Sequence, residues 1–120
     1  MITSYKDLEV YQRSYKVALE IHKITLKFPD YERYELGSQL RKATKSIPLN
    51  IGEGHGKRNS IDEFKRFLQM AIGSCDEVKI LIEFAKDLGY IAEEEYLVLI
   101  DEYDQIGKML YVIHKNWRRN

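Results

Sequence analysis

Four segments of this 120-residue chain each carry a row of mostly apolar or small residues at alternating spacings of three and four. This spacing keeps one stripe of an α-helix facing its neighbours, as in helical bundles. The rows run over Val10 to Phe28, Leu36 to Gly54, Ile61 to Ala85 and Ala92 to Trp117. Because only short connections separate them, the pattern predicts an all-α, antiparallel up-down-up-down four-helix bundle.

Residues that start and stop helices place the boundaries of this predicted bundle at about 5–27, 34–54, 61–88 and 92–117. Pro29 ends the first helix, and 30–33 is a short polar connection. Ser60 fits an N-cap, with Glu63 completing a capping box at the start of the third helix. Gly89 is a typical glycine just past a helix end.

The second helix contains residues that disfavour a regular helix. Gly52, Gly54 and Gly56 are three glycines in five residues, and they predict the end of this helix through a left-handed residue. Pro48 has no N–H to donate to the Thr44 carbonyl, so we expect it to bend or interrupt the helix.

Two helices carry more apolar positions than one core stripe requires. The first helix has a second row, which comprises Leu8, Tyr11, Tyr15, Ala18 and His22. The third helix has a neighbouring row, which comprises Met70, Gly73, Glu77, Ile80 and Phe84. A helix with so wide an apolar face is central or contributes to a subunit interface.

The composition fits one soluble domain over residues 1–120 with a single core. Lys plus Arg and Asp plus Glu are 19 each, so the net charge is +0. Cys75 is the one cysteine, which excludes an intramolecular disulfide, and its apolar register predicts a small core residue. No signal peptide or membrane span is predicted, which favours the cytoplasm and no membrane partner.

Several short motifs resemble the four-helix-bundle proteins encoded within intervening sequences of bacterial large-subunit ribosomal RNA genes. They are Asp7-Leu8, Phe28-Pro29, Glu32 to Tyr34, Leu36 to Leu40, Ser46 to Gly54, Glu63-Phe64, Ala71 to Ser74 and Glu77. The resemblance implies an antiparallel four-helix bundle, ring-like homopentamers and no enzyme activity. A similar, strongly basic branch, the accessory proteins of diversity-generating retroelements, binds nucleic acid and a reverse transcriptase.

The sequence gives no support for catalysis, a cofactor or a metal site. None of His22, His55 and His114 has a Glu three residues before it, as a di-iron bundle requires, and zinc-ligand spacing is absent. We expect His22 and His114 to be helix-flank residues and His55 to lie in the turn. No phosphate loop is present around Glu53, so we predict a protein that is not an enzyme.

A basic region is the candidate for nucleic-acid binding. It comprises Arg41, Lys42, Lys45, Lys57, Arg58, Lys65 and Arg66. With the carboxylates of Glu53, Asp62 and Glu63, this stretch has net charge +4, whereas the first half of the fourth helix is acidic. In a ring, basic ends from several subunits would add into one phosphate-binding face. The alternative is an ordinary solvated helix end.

A second group of polar residues lies on or beside the apolar rows. It comprises Gln39, Asn50, Glu53, Arg58, Ser74 and Glu77. We interpret it as a hydrogen-bonded network that fixes helix register or a subunit contact, with Arg58 neutralising Glu53 or Glu77. A small ligand site at the turn is the alternative.

The sequence therefore predicts a non-enzymatic, homo-oligomeric four-helix bundle, with a pentamer as the expected assembly. The first functional hypothesis is that it engages RNA or a nucleic-acid-binding protein through the basic region. The alternative is a structural or protein-interaction module that binds no nucleic acid.

Overall fold

The computed structural model describes residues 3–117, and these residues form four long helices, one short helix and one 3-10 turn. After the 3-10 turn Tyr5–Asp7, the α-helices are α1 (Glu9–Thr25), α2 (Asp30–Tyr34), α3 (Leu36–Gly56), α4 (Ile61–Asp87) and α5 (Glu93–Asn116). The described part of the chain contains no β-strand. The predicted all-α class is confirmed.

The four long helices pack as a closed square in chain order. α1 contacts α3, α3 contacts α4, α4 contacts α5, and α5 returns to α1. The elongated body measures 50 × 23 × 21 Å, as expected for helices about 25–40 Å long at 1.5 Å per residue. Short connections between successive neighbours make the arrangement the predicted antiparallel bundle.

The four predicted rows meet in the core. α1, α3 and α4 bury most of their rows, and α5 buries the middle of its row, from Leu99 to Leu110. The fully buried large side chains include Val10, Ile21, Leu40, Ile47, Ile51, Phe64, Leu68, Val78, Ile82, Tyr103, Ile106 and Leu110. Cys75 is 2% exposed, as predicted, and burial raises its pKa to about 12. This core is completed within one chain.

The N-terminal boundary prediction of one helix over 5–27 is wrong in detail. Ser4 caps the 3-10 turn, since its Oγ accepts from the Lys6 N–H and its own N–H donates to the Asp7 carboxylate. Leu8 then has extended backbone angles, and α1 starts at Glu9. The break lets Tyr5 fold back over Gly52 of α3, with the closest ring carbon 3.5 Å from the position of a Gly52 Cβ.

The polar connection predicted at 30–33 is instead the short helix α2, and α3 starts at Leu36 rather than 34. Arg41 holds this corner together, because its guanidinium donates to the Thr25 hydroxyl and to the Arg33 carbonyl, each at 2.8 Å. These bonds link the ends of α1 and α2 to the first turns of α3.

The prediction that glycines stop the second helix at 54 is also wrong. α3 continues through Gly52 and Gly54 and ends at Gly56, and none of the three adopts a positive φ. Gly54 is buried where α3 crosses α4, and a Cβ there would lie 2.7 Å from the Cβ of Phe67. Its role is therefore to allow close helix approach. Gly89, with φ of +86°, is the helix-ending glycine, as predicted.

α3 is not interrupted at Pro48. The proline removes a single backbone donor, and the turns on either side are fixed by Ile47 and Ile51, both 0% exposed. The helix is thus held by packing at the point where its backbone hydrogen bonding is weakest.

His55 does not lie in the turn. It is 3% exposed in the last turn of α3, with its ring centroid 6.3 Å from that of Phe64 in an edge-on arrangement. Burial, followed by the positive charge of Arg58, lowers the pKa of His55, which favours the neutral imidazole. Its burial follows from the extension of α3 by two residues beyond the predicted end.

Tyr103 places a phenol at the centre of the core without a hydrogen-bond partner among the described residues. Burial raises the pKa of this phenol well above its ordinary value, so it stays protonated. An unpaired buried hydroxyl of this kind costs on the order of 1–3 kcal/mol. The aromatic ring compensates by filling the space between helices.

We predict that Gly54→Ala lowers the free energy of unfolding by up to about 2 kcal/mol, since overpacking costs about 1–3 kcal/mol and the helix propensity of alanine returns about 1 kcal/mol. The matched control is Gly107→Ala, because Gly107 lies in the middle of α5 and a Cβ there meets no atom within 4 Å. This control should raise stability by up to about 1 kcal/mol. Urea denaturation measures both, and equal stabilisation by the two substitutions would contradict the close contact of α3 with α4.

Candidate functional site

An open groove of about 530 Å³ runs between α1 and α3. Its α1 side presents side chains from Tyr11 to His22, a length of about 16 Å, and its α3 side runs from Lys45 to Glu53, about 12 Å, at 1.5 Å per residue. We call this surface the α1/α3 groove, and its lining residues are Tyr5, Tyr11, Tyr15, Ala18, Leu19, His22, Lys45, Pro48, Leu49, Gly52 and Glu53.

Tyrosines that contact one another line part of the α1/α3 groove. The rings of Tyr5 and Tyr11 meet edge to face at 4.9 Å, and Tyr11 and Tyr15 lie 5.9 Å apart. Burial and the neighbouring tyrosines raise the pKa of Tyr11. Such fixed rings offer a large contact area at a small cost in conformational entropy.

The rims of the α1/α3 groove are apolar and exposed to solvent. Tyr15 is 51% exposed, Leu19 52% and Leu49 60%. Exposed apolar patches of this kind are typical of interaction sites on protein surfaces. Charge is sparse, with Lys45 near one end of the α3 wall and Glu53 at the other.

α4 carries a second exposed apolar surface, which we call the α4 stripe. It follows the predicted row Met70, Gly73, Glu77, Ile80 and Phe84 and continues to Leu88. The side chains of Ile80, Phe84 and Leu88 are each between 53% and 57% exposed. The wide apolar face predicted for this helix is therefore not consumed within the monomer.

The three arginines of the predicted basic region are held by contacts within the chain. Arg41 links α1, α2 and α3 as described, and Arg58 donates to the His55 carbonyl at 2.8 Å. Arg66 makes two bonds to the Glu63 carboxylate, at 3.0 and 3.2 Å. The Glu63 N–H donates to Ser60 Oγ at 3.2 Å, so the predicted N-cap is present. The Glu63 carboxylate pairs with Arg66 instead of completing the predicted capping box.

The four lysines of that region are differently placed. Lys42 and Lys57 are exposed and Lys65 is half-buried, whereas Lys45 lines the α1/α3 groove. Within residues 3–117, no carboxylate forms an ion pair with any of the four. Lys57 lies 5.0 Å from the centre of the Phe67 ring, which Arg66 also approaches at 4.6 Å.

The structure brings together only part of the predicted polar network. Asn50 donates to the Ser46 carbonyl at 2.8 Å and to Ser46 Oγ at 3.0 Å, and Ser46 Oγ lies 2.8 Å from Ser74 Oγ. This chain joins α3 to α4. Sequence reasoning missed Ser46, although its spacing of four from Asn50 places both on one helix face.

The other members of the predicted network lie apart from it. Gln39, Glu53 and Glu77 are exposed. The prediction that Arg58 neutralises Glu53 or Glu77 is wrong, because the extension of α3 to Gly56 directs Arg58 onto the carbonyl of His55.

The α3 wall of the groove was also missed. Tyr11, Tyr15 and His22 belong to the predicted second row of α1, but Pro48 and Leu49 were not identified as a facing surface. The signal was present in the sequence, since Lys45, Leu49 and Gly52 follow the three-four spacing of a second α3 face.

The described residues contain no cluster of three or more His, Cys, Asp or Glu arranged to hold a metal ion. Across residues 3–117, no helix has the length and hydropathy needed to cross a membrane. The surfaces that the structure does build are an aromatic groove and an apolar stripe, which suit binding by contact area.

Three comparisons with known proteins bear on this architecture. A solved structure of a protein of unknown function from the S23 ribosomal protein family of Bacteroides thetaiotaomicron superposes with a TM-score of 0.80. It is 23% identical in sequence, and the alignment covers 89% of this chain and 96% of that one, which shows a shared fold. Curated proteins give no match.

The family profile described as 23S rRNA-intervening sequence protein matches residues 6–112, which is most of the chain and includes all four long helices in large part. The resemblance stated from the short motifs is thereby confirmed. This chain belongs to the family of 23S rRNA-intervening sequence proteins.

Proposed function

We propose that this protein is a non-enzymatic, self-assembling four-helix bundle that acts as an oligomeric binding scaffold. The observation that carries the proposal is the presence of two exposed apolar surfaces, the α1/α3 groove and the α4 stripe, on a bundle whose core is already complete. Because the core does not need these side chains, their exposure is best explained by contacts between chains.

Burial of the exposed apolar side chains favours assembly over an isolated monomer. Burying exposed apolar area stabilises by roughly 25 cal/mol per Å², and a leucine or phenylalanine side chain that becomes fully buried contributes about 1.5–3 kcal/mol. Leu19, Leu49, Ile80, Phe84 and Leu88 are each more than half exposed. Covering them offsets the entropy lost on association.

We expect the native particle to have a mass of about five times the 14.2 kDa of one chain, in keeping with the ring-like pentamers that the family resemblance implies. Light scattering on a sizing column at several protein concentrations measures this mass. A particle that stays at 14.2 kDa at every concentration contradicts the proposal.

RNA binding is a second candidate function, and it is favoured by three lysines at the surface, two exposed and one half-buried. Lys42, Lys57 and Lys65 lie on α3, the following turn and α4, and none forms an ion pair with a carboxylate in the described part of the chain. Repeated in an oligomer, these lysines would give several phosphate contacts per particle. The arginines of the region are weaker candidates, because each already uses at least one N–H donor within the chain.

We predict that replacing Lys42, Lys57 and Lys65 with alanine weakens RNA binding and lowers the slope of log K against log salt by about 2, at roughly 0.7 for each lost contact to a single strand. The control replaces Lys16, Lys23 and Lys108, which are exposed lysines on other faces, and changes the charge equally. Fluorescence anisotropy with a labelled single-stranded RNA measures the affinity of both variants. The salt concentration is varied over about 50–200 mM, a range in which phosphate contacts strongly change the affinity.

Equal effects of the two lysine triples would show that only net charge matters. An absence of RNA binding by an intact oligomer at low salt would leave the structural or protein-interaction module as the function, since assembly does not depend on these lysines.

A further inference from the structure

We propose that the α4 stripe of one copy is the occupant of the α1/α3 groove of a second copy. The inference rests on the proposed self-assembly and adds to it the two surfaces that meet. Both surfaces belong to the same chain, and their most exposed apolar side chains, Leu19 and Leu49 in the groove and Ile80, Phe84 and Leu88 in the stripe, lie outside the core already described.

The two surfaces match in length. From Ile80 to Leu88 the stripe presents three large apolar side chains at intervals of four residues, over about 12 Å at 1.5 Å per residue. The α3 wall of the groove, from Lys45 to Glu53, has the same eight-residue span. A helix that lays apolar anchors at this spacing into a groove between two helices is a common mode of recognition.

The two surfaces also match in charge. Among the described residues, neither Lys45 of the groove nor Glu77, at the N-terminal side of Ile80 in the stripe, forms an ion pair. The Glu77 carboxylate can therefore meet the Lys45 ammonium of the neighbouring copy. Such pairs fix orientation more than they add affinity.

α5 does not offer an equivalent occupant. Its exposed apolar residues are two separate pairs, Leu97 with Val98 and Tyr111 with Val112. Thirteen residues separate Val98 from Tyr111, which is about 20 Å along a helix and longer than the α3 wall of the groove. The α4 stripe has three consecutive anchors within the required length.

Contact between two α4 stripes is disfavoured by charge. A contact between two stripes would cover the Glu77 carboxylate of each copy without a free cation to meet it, because Lys79 of α4 already pairs with Asp76 and Asp104. Insertion into the groove instead places Glu77 near Lys45. The groove rims are also more than half exposed, so a small molecule would remain largely in water, whereas a helix covers both walls.

Because the two surfaces are different, each copy has one groove and one stripe to offer. Such a heterologous contact repeats from copy to copy and produces a closed ring or an open filament. It also predicts that a copy with a defective groove and a copy with a defective stripe can still form one contact, through the intact stripe of the first and the intact groove of the second.

The test uses this property of heterologous contacts. Leu49→Glu places a carboxylate in the groove, four residues from Lys45, and Phe84→Lys places a cation in the stripe. We expect each variant alone to have the mass of one chain by light scattering, and an equimolar mixture to give a particle of two chains. Circular dichroism checks folding, and Leu19→Glu or Ile80→Lys replaces a variant that does not fold.

Matched controls change equally exposed side chains on α5. Leu97→Glu corresponds to Leu49→Glu, and Tyr111→Lys corresponds to Phe84→Lys, with exposures between 55% and 60% for all four residues. Both controls should keep the mass of the unmodified particle. Loss of assembly in the controls would overturn the assignment of the contact to groove and stripe.

The remaining outcomes separate this inference from the proposed function. If the unmodified protein assembles and both single variants keep its mass, the pairing of groove and stripe is wrong while self-assembly stands. Monomeric variants that do not combine in the mixture also overturn the pairing, since a groove–stripe contact would leave one intact groove and one intact stripe able to join. A monomeric unmodified protein overturns self-assembly and the pairing together.

Discussion

The close approach of α3 and α4 is the constraint on which the rest of the structure depends. It is the most extensive helix contact in the bundle, and Gly54 makes it close enough that a single methyl group would collide with Phe67. The Asn50, Ser46 and Ser74 hydrogen bonds join the same two helices nearer their centres. With this pair fixed, one side of α3 is left to form the groove with α1, and α4 keeps a free apolar stripe.

The heptad rows were sufficient to predict the fold class, because a three-four spacing over four long segments can be buried in few ways. Local details were harder to predict. A glycine stops a helix or lets two helices touch, and the sequence near Gly54 is compatible with both until the position of Phe67 is known. α3 also extends two residues beyond its predicted end, and this extension places His55 in the core rather than in the expected turn.

The candidate site was predicted in part. The second rows of α1 and α4 were recognised as apolar surface beyond the needs of one core stripe. The structure leaves the α4 row exposed, whereas in the α1 row Leu8 and Ala18 are buried and only Tyr15 is more than half exposed. The facing wall formed by Pro48 and Leu49 depends on which side of α3 lies beside α1, which periodicity alone does not determine. The roles of Arg41 and Arg58 were missed for a related reason. Both donate to backbone carbonyls, and because every residue has a carbonyl, the sequence does not indicate which one is the acceptor.

Disulfide trapping of the assembled particle tests the central claim most directly, namely that copies join through two different surfaces. A chain carrying both Leu49→Cys and Phe84→Cys should give a ladder of cross-linked multiples on a non-reducing gel under mild oxidation. Cys75 can remain in place, because burial holds its pKa at about 12 and keeps the thiol unreactive. Each single cysteine variant should give no ladder. Dimers from Phe84→Cys alone, or no cross-linking by the double variant in an intact oligomer, would contradict the account.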